Sequence, residues 1–187
     1  MNGARRKGSI MARTLATMLT MTTYGTWLRG DARGWVDAGT VFPPHPTLEA
    51  ADRRSMKHPV FQFAERDAYE VGSWIGTALV ERLRTAIYAL TVQPWHVHVV
   101  IGPTRHALSH VVKCAKDAAR WGLRAGRPIW AVGYDKRFCF DEASARARIA
   151  YVERHNVDCG RPARPWPFIV EPPFARHNGA PGVFTGG

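Results

Sequence analysis

The chain has 187 residues, 45% of them hydrophobic, and carries a formal net charge of +11, from 26 Lys and Arg against 15 Asp and Glu. That length suits one domain with a real core, and the basic surplus points to a polyanionic partner, nucleic acid before an anionic membrane surface. No stretch approaches the roughly 18 apolar residues of a membrane span. The three scattered cysteines (Cys114, Cys139, Cys159) form no CxxC pair, which excludes a zinc knuckle or a disulfide framework and fits a reducing cytoplasm.

In chain order, residues 1–13 read as a flexible basic N-terminus, residues 14–160 as the domain, and residues 161–187 as a Pro/Gly-rich tail without regular structure. From Thr14 to Leu28 the Thr, Leu, Met, Tyr and Trp content predicts a strand. "RGDARG" (29–34) is turn chemistry, and residues 37–59 read as a long loop with one helical turn near Leu48 to Met56. Glu65 to Leu83 places Ala68, Val71, Ile75, Leu79 and Leu83 at steps of three and four, an amphipathic helix. Arg84 to Thr91 and His96 to Ile101 predict an antiparallel hairpin. A second helix follows, with Leu108, Val111, Val112, Ala115 and Ala119 on one face. Pro128 to Phe140 predicts a loop and an edge strand. A third helix covers Glu142 to Asn156, with Asp141 as its N-cap. This order predicts an α+β two-layer sandwich, a ferredoxin-like antiparallel sheet with its helices on one side.

Two features stand out from this framework. In "QPWHVHVV" (93–100) strand alternation sends His96 and His98 to one face and Val97 and Val99 to the other. Two same-face imidazoles make a sound bidentate metal site, but two ligands do not complete one. On the third helix Tyr151 and His155 stand at i and i+4, on a common face. The core face of that helix is Ala145, Ile149 and Val152, which leaves Tyr151 at its border.

"PWHVHVV" resembles the His-hydrophobic-His (HUH) motif of single-tyrosine transposases, in particular the REP-associated tyrosine transposases, in which Pro-x-His-hydrophobic-His lies in a central strand. "TTYGTWLRGDARGWVD" resembles the first strand and loop of one branch of that family. "IWAVGYDKRFCFDEASARARIAYVERHN" resembles its aromatic-rich strand and terminal helix. The resemblance runs from about Thr20 to Asn156, resting on pattern more than identity between residues 37 and 92. Trp95 stands where a small polar residue is common, and His155-Asn156 replaces a frequent Asn-Pro pair.

The resemblance implies a metal-dependent endonuclease and transposase that cleaves and rejoins single-stranded or hairpin DNA through a 5′-phosphotyrosine link. Tyr151 would be the catalytic nucleophile, with Tyr134 its rival. His96, His98 and His155 would hold a divalent metal, Mg²⁺ or Mn²⁺, with Asn156 the alternative third ligand. Lys113, Lys116, Arg120, Lys136, Arg137, Arg148 and Arg154 are the candidates for DNA phosphates, and Trp35, Trp95, Trp130 and Tyr134 for unpaired bases. No membrane partner is expected, and the enzyme would act as a monomer or homodimer. Two other classes share these residues: a DNA-binding protein of the same fold without catalysis, and a metal-dependent hydrolase in which Tyr151 is structural.

Overall fold

The computed structural model describes residues 13–37 and 40–177. The expected flexible N-terminus therefore lies almost wholly outside the described residues, as does the end of the tail from residue 178. The described chain forms β1 (Ala16–Thr22), β2 (Trp35–Asp37), β3 (Thr40–Phe42), α1 (Pro46–Ser55), α2 (Ala68–Thr77), β4 (Ile87–Gln93), β5 (His96–Ile101), α3 (Leu108–Gly122), β6 (Asp135–Cys139) and α4 (Glu142–Asp158). The helix expected over residues 65–83 is a composite: a 3-10 turn at Glu65–Asp67, then α2, then a π turn at Ala78–Arg82. Asp141 caps α4 as expected, its side chain accepting from the Ser144 amide.

The segment expected as a long loop holds more structure than its composition implied. Helix α1 has ten residues, opened by Pro46 in its first turn and by the His45 ring, which accepts from the Leu48 amide. Strands β2 and β3 pair as a short hairpin whose Trp35 and Phe42 rings stack at 4.5 Å. Three-residue strands are too short to show an alternation, so they left no periodic signal.

The main sheet runs β4-β5-β1-β6 and is antiparallel throughout. With α2 and α3 as the two crossovers this is the expected βαββαβ, ferredoxin-like arrangement. Leu19, Met21, Leu90, Val92, Val97, Val99 and Ile101 face α2 and α3 and form the larger core with Val71, Ile75, Val111 and Ala115.

The expectation that all helices share one side is corrected by α4, which covers the opposite face. Its Ala145, Ile149 and Val152 pack on Ala16, Met18, Tyr88, Ala89, Val100 and Cys139. The reason lies in strand alternation: these positions send a second apolar set away from α2 and α3, and that set needs its own cover.

The tail is tied to the domain. Trp166 is buried against Gly72, and a Cβ on that glycine would meet the indole at 2.0 Å. Along edge strand β4, Val170 N–H donates to Ile87 O, Arg161 Nη2 to Val92 O and Asn156 Nδ2 to Leu90 O. Each contact covers a carbonyl that an open edge would offer to another chain. The opposite edge, β6, is guarded by Asp135, Lys136 and Arg137.

Candidate active site

The sheet face under α4 divides along the strands. One end is apolar, around Ala16, Met18 and Val100. At the other end the strand registers bring polar residues together: Thr20 and Thr91 flank His98, and Thr22 and Gln93 flank His96. The N-terminal half of α4 lies on the apolar end, and its C-terminal half brings Tyr151, His155 and Asn156 over the polar end.

There the three histidines meet. One ring nitrogen from each of His96, His98 and His155 can be chosen so that all lie within 4.8 Å of one another. The ring centroids are 4.3 Å apart for His96 and His98, 5.8 Å for His96 and His155, and 5.5 Å for His98 and His155. His96 Nε2 and His155 Nε2 are buried without a hydrogen-bond partner among the described residues. Buried imidazole nitrogens without a protein partner are suited to hold a metal ion. Thr20 Oγ1 lies 2.9 Å from His98 Nδ1, which can hold that ring in the tautomer presenting Nε2 as a lone pair.

The electrostatics favour neutral, ligating imidazoles. Burial lowers the His98 pKa to about 3, with His96 and His155 adding repulsion. Burial lowers His96 to about 4, reinforced by His155 and by the Arg33 guanidinium. Burial also lowers His155, the nearby Asp158 carboxylate partly opposing it. The cluster holds no carboxylate, so a bound divalent ion would keep its whole charge for an anionic ligand. An all-imidazole set fits a divalent transition ion; Mg²⁺ prefers oxygen ligands.

Tyr151 borders this cluster, its ring 5.6 Å from His98 and 4.6 Å from His155. It is 41% exposed, open to a ligand arriving from solvent. His155 and Asn156 sit in different surroundings. Asn156 is fully buried and donates both amide hydrogens, to Leu90 O and Ala163 O, leaving its Oδ1 without a partner among the described residues, while a His155 ring nitrogen lies within 4.8 Å of those of His96 and His98. Tyr134 lies in a cleft on the α3 side with Trp130, Lys116 and Arg120, across the sheet from the histidines.

The seven basic residues are not brought to one place. Lys113, Lys116 and Arg120 sit on α3, across the sheet from the histidines. Lys113 is paired with Asp117, and the half-buried Lys116 ammonium donates to Ala131 O and Gly133 O. On β6, Arg137 pairs in register with Met18 on the α4 side, whereas Lys136 pairs with Leu19 and faces the α3 side. Arg148 is exposed on α4, one and two turns ahead of Tyr151 and His155 on a common face, and exposed Arg154 adjoins His155. Among the aromatics, Trp130 is engaged with Phe63 and the Lys116 carbonyl, and Trp35 with Phe42. Trp95, 42% exposed, stands 5.9 Å from the His96 ring.

Three side chains near the site were not singled out from sequence. Thr20 and Gln93 became visible only with the strand register; Gln93 Nε2 donates to the His155 carbonyl and so fixes the last turn of α4. Arg33 hid inside a turn motif, where Asp-x-Arg between two glycines was the signal available.

No protein-family model and no curated protein matches the chain. Among solved structures it is similar to a REP-associated tyrosine transposase bound to a REP hairpin, at 14% identity and a TM-score of 0.49, over 90% of this chain and 81% of that one. It is also similar to a structure described as a transposase from Deinococcus radiodurans R1, at 20% identity and a TM-score of 0.41, over 84% of this chain and 99% of that one.

Proposed function

We propose that this chain is a single-tyrosine HUH transposase of the REP-associated kind, a metal-dependent endonuclease that cuts and rejoins single-stranded DNA at hairpin or palindromic elements. The observation that carries the reading is the meeting of three imidazoles, His98 buried and His96 and His155 partly so, with an accessible phenol at one end of a sheet, from a strand and a helix more than fifty positions apart. His96, His98 and His155 would hold the ion, Mn²⁺ in preference to Mg²⁺ for this donor set. A bound divalent ion would supply charge neutralisation and orientation at the scissile phosphate.

The rest of the chemistry falls to the chain. Tyr151 Oη forms the new bond to phosphorus, the bond from phosphorus to the 3′ oxygen breaks, and the phenol proton leaves to solvent at the open side of the ring. The leaving strand takes up a proton as its 3′-OH, and the 5′ end stays on Tyr151. That link conserves the phosphodiester bond energy, so a later 3′-OH can reverse the step without a nucleotide cofactor. Thr20 orients His98, and Gln93 steadies the turn that carries His155. Tyr151 stands beside the histidines of its own chain, so one chain would contain every group the reaction uses. Among the described residues no helix is long and apolar enough to cross a membrane.

The test is covalent trapping. Labelled hairpin-bearing single strands incubated with the protein and Mn²⁺ should give an SDS-stable protein–DNA adduct, abolished by EDTA and by Tyr151→Phe. Binding without adduct under all divalent ions would instead identify the non-catalytic DNA-binding protein. Nicking that persists in Tyr151→Phe would identify a hydrolase.

A further inference from the structure

The turn between β1 and β2 is built more firmly than a connector needs to be. Gly30 and Gly34 take positive φ angles of 83° and 85°, and a Cβ on Gly30 would come within 2.3 Å of His45 O. Between them Asp31, only 8% exposed, accepts from the Arg33 amide and from Arg33 Nε and Nη2 at 2.8–2.9 Å. Arg33 Nη2 also donates to Thr26 O, and the guanidinium lies 4.7 Å from the centre of the Trp27 ring. Trp27 is itself pinned, its Nε1 donating to Gly34 O.

This leaves one part of the guanidinium uncommitted. Among the described residues Nη1 has no partner, and the side chain is 49% exposed. The turn also points to a place. Thr23 N–H, Thr23 Oγ1 and Thr26 Oγ1 all donate to the carbonyl of Trp95, the residue before His96. Arg33 is thus two hydrogen bonds from Trp95, the residue before the strand carrying the candidate metal ligands.

We propose that Arg33, locked by Asp31 and stacked on Trp27, is a second anchor for the nucleic-acid strand, gripping through Nη1 a backbone phosphate next to the one held at the three histidines. This deepens the function proposed above and rests on it. A guanidinium frozen before binding loses little entropy on making a charged hydrogen bond. Trp27 and Trp95, 45% and 42% accessible, offer indole surface suited to unpaired bases. The selectivity expected is for a flexible single strand, whose adjacent phosphates can splay to reach both anchors.

The test uses the full chain carrying Tyr151→Phe, so that binding is read without a covalent step, and a fluorescent hairpin strand with oligo-dT tails. Affinity is measured by anisotropy across a NaCl series with Mn²⁺ present. Arg33→Ala should weaken binding about tenfold or more and reduce the magnitude of the salt slope by about 0.7, the loss of one phosphate contact. Arg33→Lys, which keeps a charge and a partner for Asp31, should retain the slope and recover only part of the affinity. If both variants match the parent in slope and affinity while losing thermal stability, Arg33 is a structural tie and the inference fails alone. If the parent itself binds no DNA, the functional proposal falls and takes this one with it.

Discussion

At the scale of single residues, the site depends on ring orientation as much as on ligand identity. Thr20 lies across from His98 in the β1–β5 register and close enough to its Nδ1 to choose the tautomer. Thr20→Val preserves shape and strand preference but removes that hydrogen bond. Mn²⁺ affinity, measured by calorimetry, should fall by about 10- to 100-fold, the usual cost of losing such a partner. Unchanged affinity would mean that packing alone fixes the ring. The histidines themselves were legible in the sequence, because alternation in "WHVHVV" leaves no other arrangement of its faces. Thr20 was not, because its role exists only once β1 is laid beside β5, a pairing between residues 78 positions apart.

At the scale of elements, α4 is the part on which the site turns. Its spacing placed Tyr151 and His155 on one face, and the predicted core stripe of Ala145, Ile149 and Val152 is the one found. What the helical pattern could not reveal was which sheet face the stripe would cover. It also could not choose between His155 and Asn156, which are adjacent and both polar. Leu90 O and Ala163 O, two carbonyls brought in by an edge strand and by the tail, hold the Asn156 amide nitrogen and leave its Oδ1 without a partner among the described residues, so the choice passes to experiment. These assignments separate in two variants. Asn156→Ala strips two buried hydrogen bonds and should cost about 1–3 kcal/mol of unfolding free energy in urea titrations of the metal-free protein. His155→Ala removes a half-buried ring with no intramolecular hydrogen bond and should cost less, while lowering Mn²⁺ affinity far more. The reverse pattern would make Asn156 the ligand.

At the scale of the whole molecule, the buried imidazoles couple metal binding, stability and pH. Folding takes His96 from an ordinary value of 6.5 to about 4 and His98 to about 3. Between those values and 6.5 the unfolded chain binds protons that the folded chain refuses, so stability must fall as pH drops through that window. Above about pH 7 both states are neutral at these sites and the contribution is constant. The ceiling is about 1.4 kcal/mol per histidine per pH unit, and mutual repulsion within the cluster makes the two contributions non-additive. The carboxylates held low by their partners, Asp31 by Arg33 and Asp52 by Arg29, add to the loss only at the acid end of this window and below it, since their ordinary value is 3.8. Thermal melts of the metal-free protein should therefore show a melting temperature that is flat above pH 7 and declines steadily from about pH 6.5 to 4. Saturating Mn²⁺ at a hundredfold excess over its Kd should raise stability by about 2.7 kcal/mol at pH 7, an increment that shrinks on acidification as protons compete for the same nitrogens. A His96→Ala/His98→Ala variant should lose both the Mn²⁺ increment and most of the decline between pH 6.5 and 4. If its acid profile matches that of the parent, the decline originates outside the cluster, and the histidines are not the groups that tie this fold to pH.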